Sequence, residues 1–209
     1  MLEDFKKKVA QIAKAADASG LCKHKSGNFS LKDKETGYVL VTPSGVSREE
    51  LTYKDIVVVD LEGKLIEVET KVQPTSELLL HLSAYRTRKD VYAVCHTHSR
   101  FATTFAVLGK EIKPVVFEAL VYGRRVPVAS YGRPGTQELA NSIIKPLGIS
   151  DACLLESHGV VTVGKDLEDA YLKAHYVEEV AEIYYRALMI GKEEIKEIPQ
   201  KEFDAVSHA

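Results

Sequence analysis

Apolar positions along this chain keep two different periods, and the switches between them mark out its elements. Phe5, Val9, Ile12, Ala13 and Ala16 recur every three or four residues, which predicts an opening helix stopped by Gly20. From Phe29 the period shortens to two, so residues 29–31 and 38–41 read as strands joined by a turn at 33–37. A short helical turn around 49–54 leads to the unbroken run Ile56-Val57-Val58-Val59-Asp60, the pattern of a strand buried on both faces. Residues 65–68 return from it. Helical spacing resumes from Glu77 through Leu78, Leu79, Leu82 and Tyr85, and Arg86, Arg88 and Lys89 suit its C-terminal end.

Beyond that helix, residues 91–98 predict a buried strand and residues 100–108 a helix stopped by Gly109. Strands are expected over 115–118 and 126–129, then a helix from about Thr136 to Leu147. Residues 152–155 and 160–163 read as a hairpin with His158 at or beside its bend. The last long helix is expected from about Leu167 to Met189, followed by a charged, peripheral tail from Gly191. No internal repeat and no linker interrupts this order, so residues 1–209 are expected to form a single domain of mixed α/β class.

Composition narrows the function only by exclusion. With a formal net charge of -2, nothing points to nucleic acid or an anionic membrane as a partner. No apolar run approaches the roughly 20 residues that span a bilayer. The first residues are amphipathic without a signal-peptide core, and Cys22, Cys95 and Cys153 are odd in number with no CxxC pair. Free thiols in a reducing cytoplasm are therefore expected.

Chemistry enters at Cys95-His96-Thr97-His98. Side chains two apart on a strand share a face, so His96 and His98 stand side by side at its end. His158 supplies a third imidazole, and three protein ligands with one open position is the usual plan of a catalytic zinc site. Imidazole ligation suits Zn²⁺ first, with Mn²⁺, Co²⁺ or Fe²⁺ as alternatives. His24, His81, His175 and His208 are weaker candidates, since they precede a glycine loop, sit inside helices or lie in the tail. Cys95 alternates to the opposite face and is not expected to ligate.

Three loops can meet an anion. They are Lys25-Ser26-Gly27-Asn28, Thr42-Pro43-Ser44-Gly45 and the helix start Pro74-Thr75-Ser76. Glycine lets backbone N–H groups approach closely, hydroxyls add donors, and a helix N-terminus leaves N–H groups free. Each can equally be a plain turn. Glu77 can simply complement the helix dipole, although Leu78 and Leu79 stand where a capping box at Thr75 or Ser76 needs Glu or Gln.

Taken together, Ser26-Gly27-Asn28, Thr42-Pro43-Ser44-Gly45, Pro74-Thr75-Ser76-Glu77, His96-Thr97-His98 and Ser157-His158-Gly159 resemble, in order and approximate spacing, the class II aldolase/adducin superfamily. The resemblance runs from the first helix to about Met189. It implies a three-layer α/β/α fold around a central, largely antiparallel sheet, and a homotetramer with interfacial active sites. It also implies an aldolase that cleaves a deoxyketose 1-phosphate, of the L-fuculose 1-phosphate or 5-deoxyribulose 1-phosphate type, to dihydroxyacetone phosphate and an aldehyde through a metal-stabilised enediolate. By the same resemblance His96, His98 and His158 are the metal ligands and Glu77 the acid/base. Gly27, Asn28, Ser44, Gly45, Thr75 and Ser76 form the phosphate cradle. Glu118 falls where related sugar-phosphate epimerases and dehydratases carry a carboxylate, which makes it a possible second acid/base. A 4-epimerase, a dehydratase or a non-catalytic adducin-like module are the alternative readings.

Overall fold

The computed structural model describes residues 2–191 and 195–206; His208 lies outside them. Its centre is β5 (Ala93–Thr97), which pairs antiparallel with β1 (Asn28–Lys32) on one side and β8 (Gly159–Gly164) on the other. Beyond β1 stand β2 (Val39–Val41), β3 (Val57–Val59) and β4 (Leu65–Glu67). Beyond β8 stand β7 (Ala152–Leu155) and β6 (Val128–Ala129). The eight-stranded sheet runs β4-β3-β2-β1-β5-β8-β7-β6, and only the β6–β7 pair is parallel.

The strands of the middle of the sheet are apolar on both faces because helices cover both. On one side α2 (Leu78–Thr87), α4 (Gln137–Ser142) and α5 (Ile144–Leu147) pack over Val39, Val57, Val94 and Val161 through Leu82, Tyr85, Leu139 and Ile143. On the other, α1 (Leu2–Ala18), α3 (Arg100–Val107) and the 24-residue α6 (Leu167–Ile190) bury Phe29, Cys95, Leu154 and Val160 in two clusters. This is the expected α/β/α sandwich. The alternation sends Val94 and His96 to the α2 face and Ala93 and Cys95 to the α1 face. Cys22, Cys95 and Cys153 are free and buried.

Three expectations need correcting. Residues 115–118 do not form a strand: Val115 and Val116 pack against the α6 cluster, and the chain turns into a short 3₁₀ helix, Phe117–Val121, with Phe117 exposed. The helix expected over 136–147 is broken at Ile143, which ends α4 and begins α5. Pro146 has no N–H to return to the Ser142 carbonyl, so an unbroken helix would lose that bond. The tail forms a further helix, α7 (Gln200–Val206), whose Phe203 is buried.

One edge of the sheet is treated specially. Strand β4 is exposed along its length, and the buried Lys6 of α1 reaches across to Glu67 at 2.5 Å and Glu69 at 2.9 Å. Among the described residues, no helix is long and apolar enough to cross a membrane.

Candidate active site

The register of β1 on β5 sets Asn28 opposite His96. His98 follows at the strand end, and His158 comes from the turn between β7 and β8. The three rings meet edge to face, with centroids 4.7 Å, 4.8 Å and 5.0 Å apart, and one ligand nitrogen from each lies within 4.8 Å of the others. Such close approach requires Gly159. A Cβ there would stand 2.5 Å from the Thr97 carbonyl oxygen and 3.1–3.2 Å from the His98 and His96 rings, closer than ordinary van der Waals contact.

Ring orientation is fixed from outside the cluster. The Val160 carbonyl oxygen lies 2.9 Å from His96 Nδ1, so the N–H belongs there and Nε2 keeps its lone pair. That Nε2 is 3.0 Å from His98 Nε2 and 3.1 Å from Glu77 Oε2, while His158 Nε2 is 3.5 Å from Glu77 Oε1. Burial, with the neighbouring imidazoles, pushes His98 and His158 down to about 4, so both are neutral ligand forms at physiological pH. For Glu77, burial works upward, but the net shift of its carboxyl is downward, and the Asn28 amide donates to the ionised form.

These residues fit a divalent ion. Two imidazole nitrogens on one tetrahedral zinc, each bound at about 2.0–2.1 Å, stand about 3.3 Å apart, close to the His96–His98 spacing. Glu77 Oε1 and His158 Nδ1 are buried and have no hydrogen-bond partner. An orphaned acceptor of this kind costs about 1–3 kcal/mol unless an ion, proton or ligand meets it.

Glu77 is the N-cap of α2, yet its side chain caps nothing. Oε2 instead accepts from Asn28 Nδ2 at 2.9 Å. The loops flanking it are zipped together: Ser44 N–H donates to Gln73 O, Thr75 N–H to Thr42 O, and Phe29 N–H to Thr42 Oγ1. Gly27 is at φ +75°, and a Cβ on it would overlap Cys22 Sγ at 2.2 Å. Arg48, itself buried, donates to the Gly27 carbonyl and steadies this loop. Ser44, Gly45 and Ser76 are exposed along the rim, beside the buried Thr75. The loops thus gather at the end of the sheet where β1 begins and β2 and β5 finish, but the Asn28 side chain is turned inward to Glu77.

Residues 7–185 match the family described as Class II Aldolase and Adducin N-terminal domain. The chain belongs to the class II aldolase and adducin family. It is 35% identical over 204 residues to a 5-deoxy-D-ribulose 1-phosphate aldolase of Bacillus thuringiensis serovar kurstaki, covering 98% of this chain and 94% of that one. An L-fuculose phosphate aldolase of Methanococcus maripaludis is 40% identical over 159 residues, 76% of this chain and 84% of the relative. Among solved structures, an L-fuculose 1-phosphate aldolase superposes with a TM-score of 0.93 at 33% identity, over 98% of this chain and 95% of that one. This class II aldolase is accordingly a lyase.

In this aldolase the possible metal-ligating cluster is the expected trio of His96, His98 and His158, and Glu118 lies on the 3₁₀ helix. One neighbour of Glu77 was passed over in the sequence. His81, discounted as a packing residue, is fully buried and hydrogen-bonded through both ring nitrogens, to Asn28 and to Ser30. Its spacing was a usable signal. His81 follows Glu77 by one helical turn, and Ser30 follows Asn28 by one strand repeat, so all four face one another.

Gly159→Ala is expected to force the histidines apart and weaken metal binding by about tenfold or more, since roughly 1 Å of misplacement disrupts a preorganised site. Titration of the metal-free variant with Zn²⁺, read by calorimetry, checks this.

Proposed function

We propose that this aldolase cleaves, and in reverse assembles, a deoxyketose 1-phosphate, with dihydroxyacetone phosphate as the constant half and a short aldehyde as the other. The observation that carries the reading is the meeting of three imidazoles with one carboxylate that has a single bare oxygen. Both substrates named for the relatives, a 5-deoxyribulose 1-phosphate and an L-fuculose phosphate, support a deoxyketose 1-phosphate here.

His96, His98 and His158 would hold a divalent cation, zinc by ligand type, with manganese, cobalt or iron(II) as alternatives. Such a cation supplies Lewis acidity toward adjacent carbonyl and hydroxyl oxygens. The remaining work belongs to the protein. The hydroxyls of Ser44, Thr75 and Ser76, with backbone N–H groups of Gly27, Gly45 and Ser76, bind the phosphate, and Asn28 borders the same cradle. Anchoring the unreacting end lets binding energy position the reacting carbons. Glu77 takes the proton from the hydroxymethyl carbon beside the carbonyl through Oε1, and returns it during cleavage. General acid–base help of this kind is worth about 10²–10⁴-fold. Asn28 keeps Oε2 out of this exchange.

The same reading places the protein in the cytoplasm as a homotetramer with sites at subunit interfaces. Its support is the exposed Phe117 and Val121 on either side of Glu118, a surface that offers that carboxylate to a neighbouring copy as a second acid/base.

Metal analysis of purified protein is expected to find near one divalent ion per chain, and little in His96→Ala or His158→Ala. Glu77→Gln should keep the metal but lose solvent hydrogen exchange into dihydroxyacetone phosphate by about 10² or more; unchanged exchange would rule out Glu77 as the base. Sedimentation velocity is expected to show one tetrameric species, and a monomer would remove the interfacial role of Glu118.

A further inference from the structure

Behind Glu77 a buried chain of side chains leads away from the histidine cluster into the sheet–helix interface. Tyr85 Oη lies 2.6 Å from Ser30 Oγ, and Ser30 Oγ lies 2.7 Å from His81 Nδ1. His81 Nε2 lies 2.6 Å from Asn28 Oδ1, and Asn28 Nδ2 lies 2.9 Å from Glu77 Oε2. Ser30, His81 and Tyr85 are 0% exposed, and Asn28 and Glu77 are 6% exposed. Every link therefore has to be satisfied inside the chain.

One boundary condition sets the direction of all of them. An ionised carboxylate only accepts, so Asn28 must present its NH₂ to Glu77 and its carbonyl to His81. His81 must then donate from Nε2. Burial pushes its imidazolium down to about 3, which leaves the ring neutral and Nδ1 a bare acceptor. Ser30 has one proton and must give it to Nδ1, so Tyr85 must donate to Ser30. Reversing any link turns Asn28 over and sets its carbonyl oxygen against the Glu77 carboxylate.

We propose that His81, fixed in its Nε2–H form by Ser30 and Tyr85, is a positioning residue for the aldol reaction: it locks the Asn28 amide so that Glu77 Oε2 is permanently occupied and Oε1 alone is free to carry the proton. This rests on Glu77 being the acid/base. The residue acts through Asn28 and does not touch substrate. Losing the correct amide orientation removes a charge-assisted hydrogen bond and substitutes a repulsion for it. That changes the rate of proton transfer rather than the binding of phosphate, which uses other groups.

The test uses the full-length, metal-loaded protein. Ser30→Ala should lower solvent exchange into dihydroxyacetone phosphate by about ten- to a hundredfold, the worth of a hydrogen bond to a charged group. KM for dihydroxyacetone phosphate and metal content should stay at the wild-type values, and Ser30→Thr, which keeps the hydroxyl, should recover most of the rate. Independently of activity, ring ¹⁵N resonances of histidine-labelled wild-type protein should show His81, assigned by its loss in His81→Gln, as the neutral Nε2–H tautomer. Wild-type exchange in Ser30→Ala, or a loss that comes with metal loss or a raised KM, would overturn the proposal. An Nδ1–H tautomer or an imidazolium at His81 would also overturn it. Should Ser30→Ala fail to fold, His81→Gln, whose amide N–H can replace the Nε2 donor, is expected to exceed His81→Leu in exchange rate, and equal rates count against the proposal. If wild-type protein shows no exchange at all, the assignment of Glu77 fails, while the tautomer measurement still decides the wiring.

Discussion

The site depends on one pairing, that of β1 with β5 in the register that sets Asn28 against His96. A strand presents alternate residues to opposite faces, so a slip of a single position would carry Asn28 and Ser30 to the α1 side and leave Glu77 and His81 facing Phe29. The register is held by the apolar residues in between. Phe29 and Cys95 share the α1 cluster, while Val94 shares the α2 cluster with Tyr85. Core packing and active-site geometry are thus two aspects of the same alignment. A sheet with helices on both faces tolerates a polar pair here only because α2 begins directly above it and brings a carboxylate and an imidazole one turn apart.

The parts of this arrangement that were legible in the sequence are those with a short period. His96 and His98 could be placed on one face because strand alternation is strict, and His158 because a glycine follows it between two apolar runs. The long helices declared themselves through their spacing, and α6 ends within a residue of its expected limit. The sheet order was not legible from pattern alone, because nothing in an apolar run says which strand will be its neighbour. Residues 115–118 misled because Val115 and Val116 are partly covered by packing on the α6 cluster rather than held in a ladder, and an apolar pair looks the same in either case. The helix over 136–147 misled because its apolar positions continue through Pro146, whose missing N–H outweighs them.

The polar interior was the least legible part. Ser30, His81 and Tyr85 look like ordinary occupants of a strand and a helix, and their meaning depends on contacts between residues about fifty positions apart. Asn28 shows the same difficulty in milder form. Its place after Gly27 suggests a loop that meets an anion, yet its backbone opens β1 and its side chain is directed to Glu77. A sequence motif marks where such a residue is needed without saying which of its groups is used.

The two ends of the sheet carry a consequence for how copies of this protein can associate. At one end β4 closes on Glu67, which Lys6 tethers together with Glu69 just beyond the strand; at the other, β6 is a strand of two residues. Charge and brevity are both ways in which an open edge refuses another strand. Large apolar side chains are left in solvent on helices, as at Val107, Phe117 and Met189, and on β4 itself at Leu65 and Ile66. Brevity at one edge and a tethered charge at the other disfavour a continuous cross-molecule sheet, so the β1–β5 pairing that aligns Asn28 with His96 has little competition from a strand of another copy.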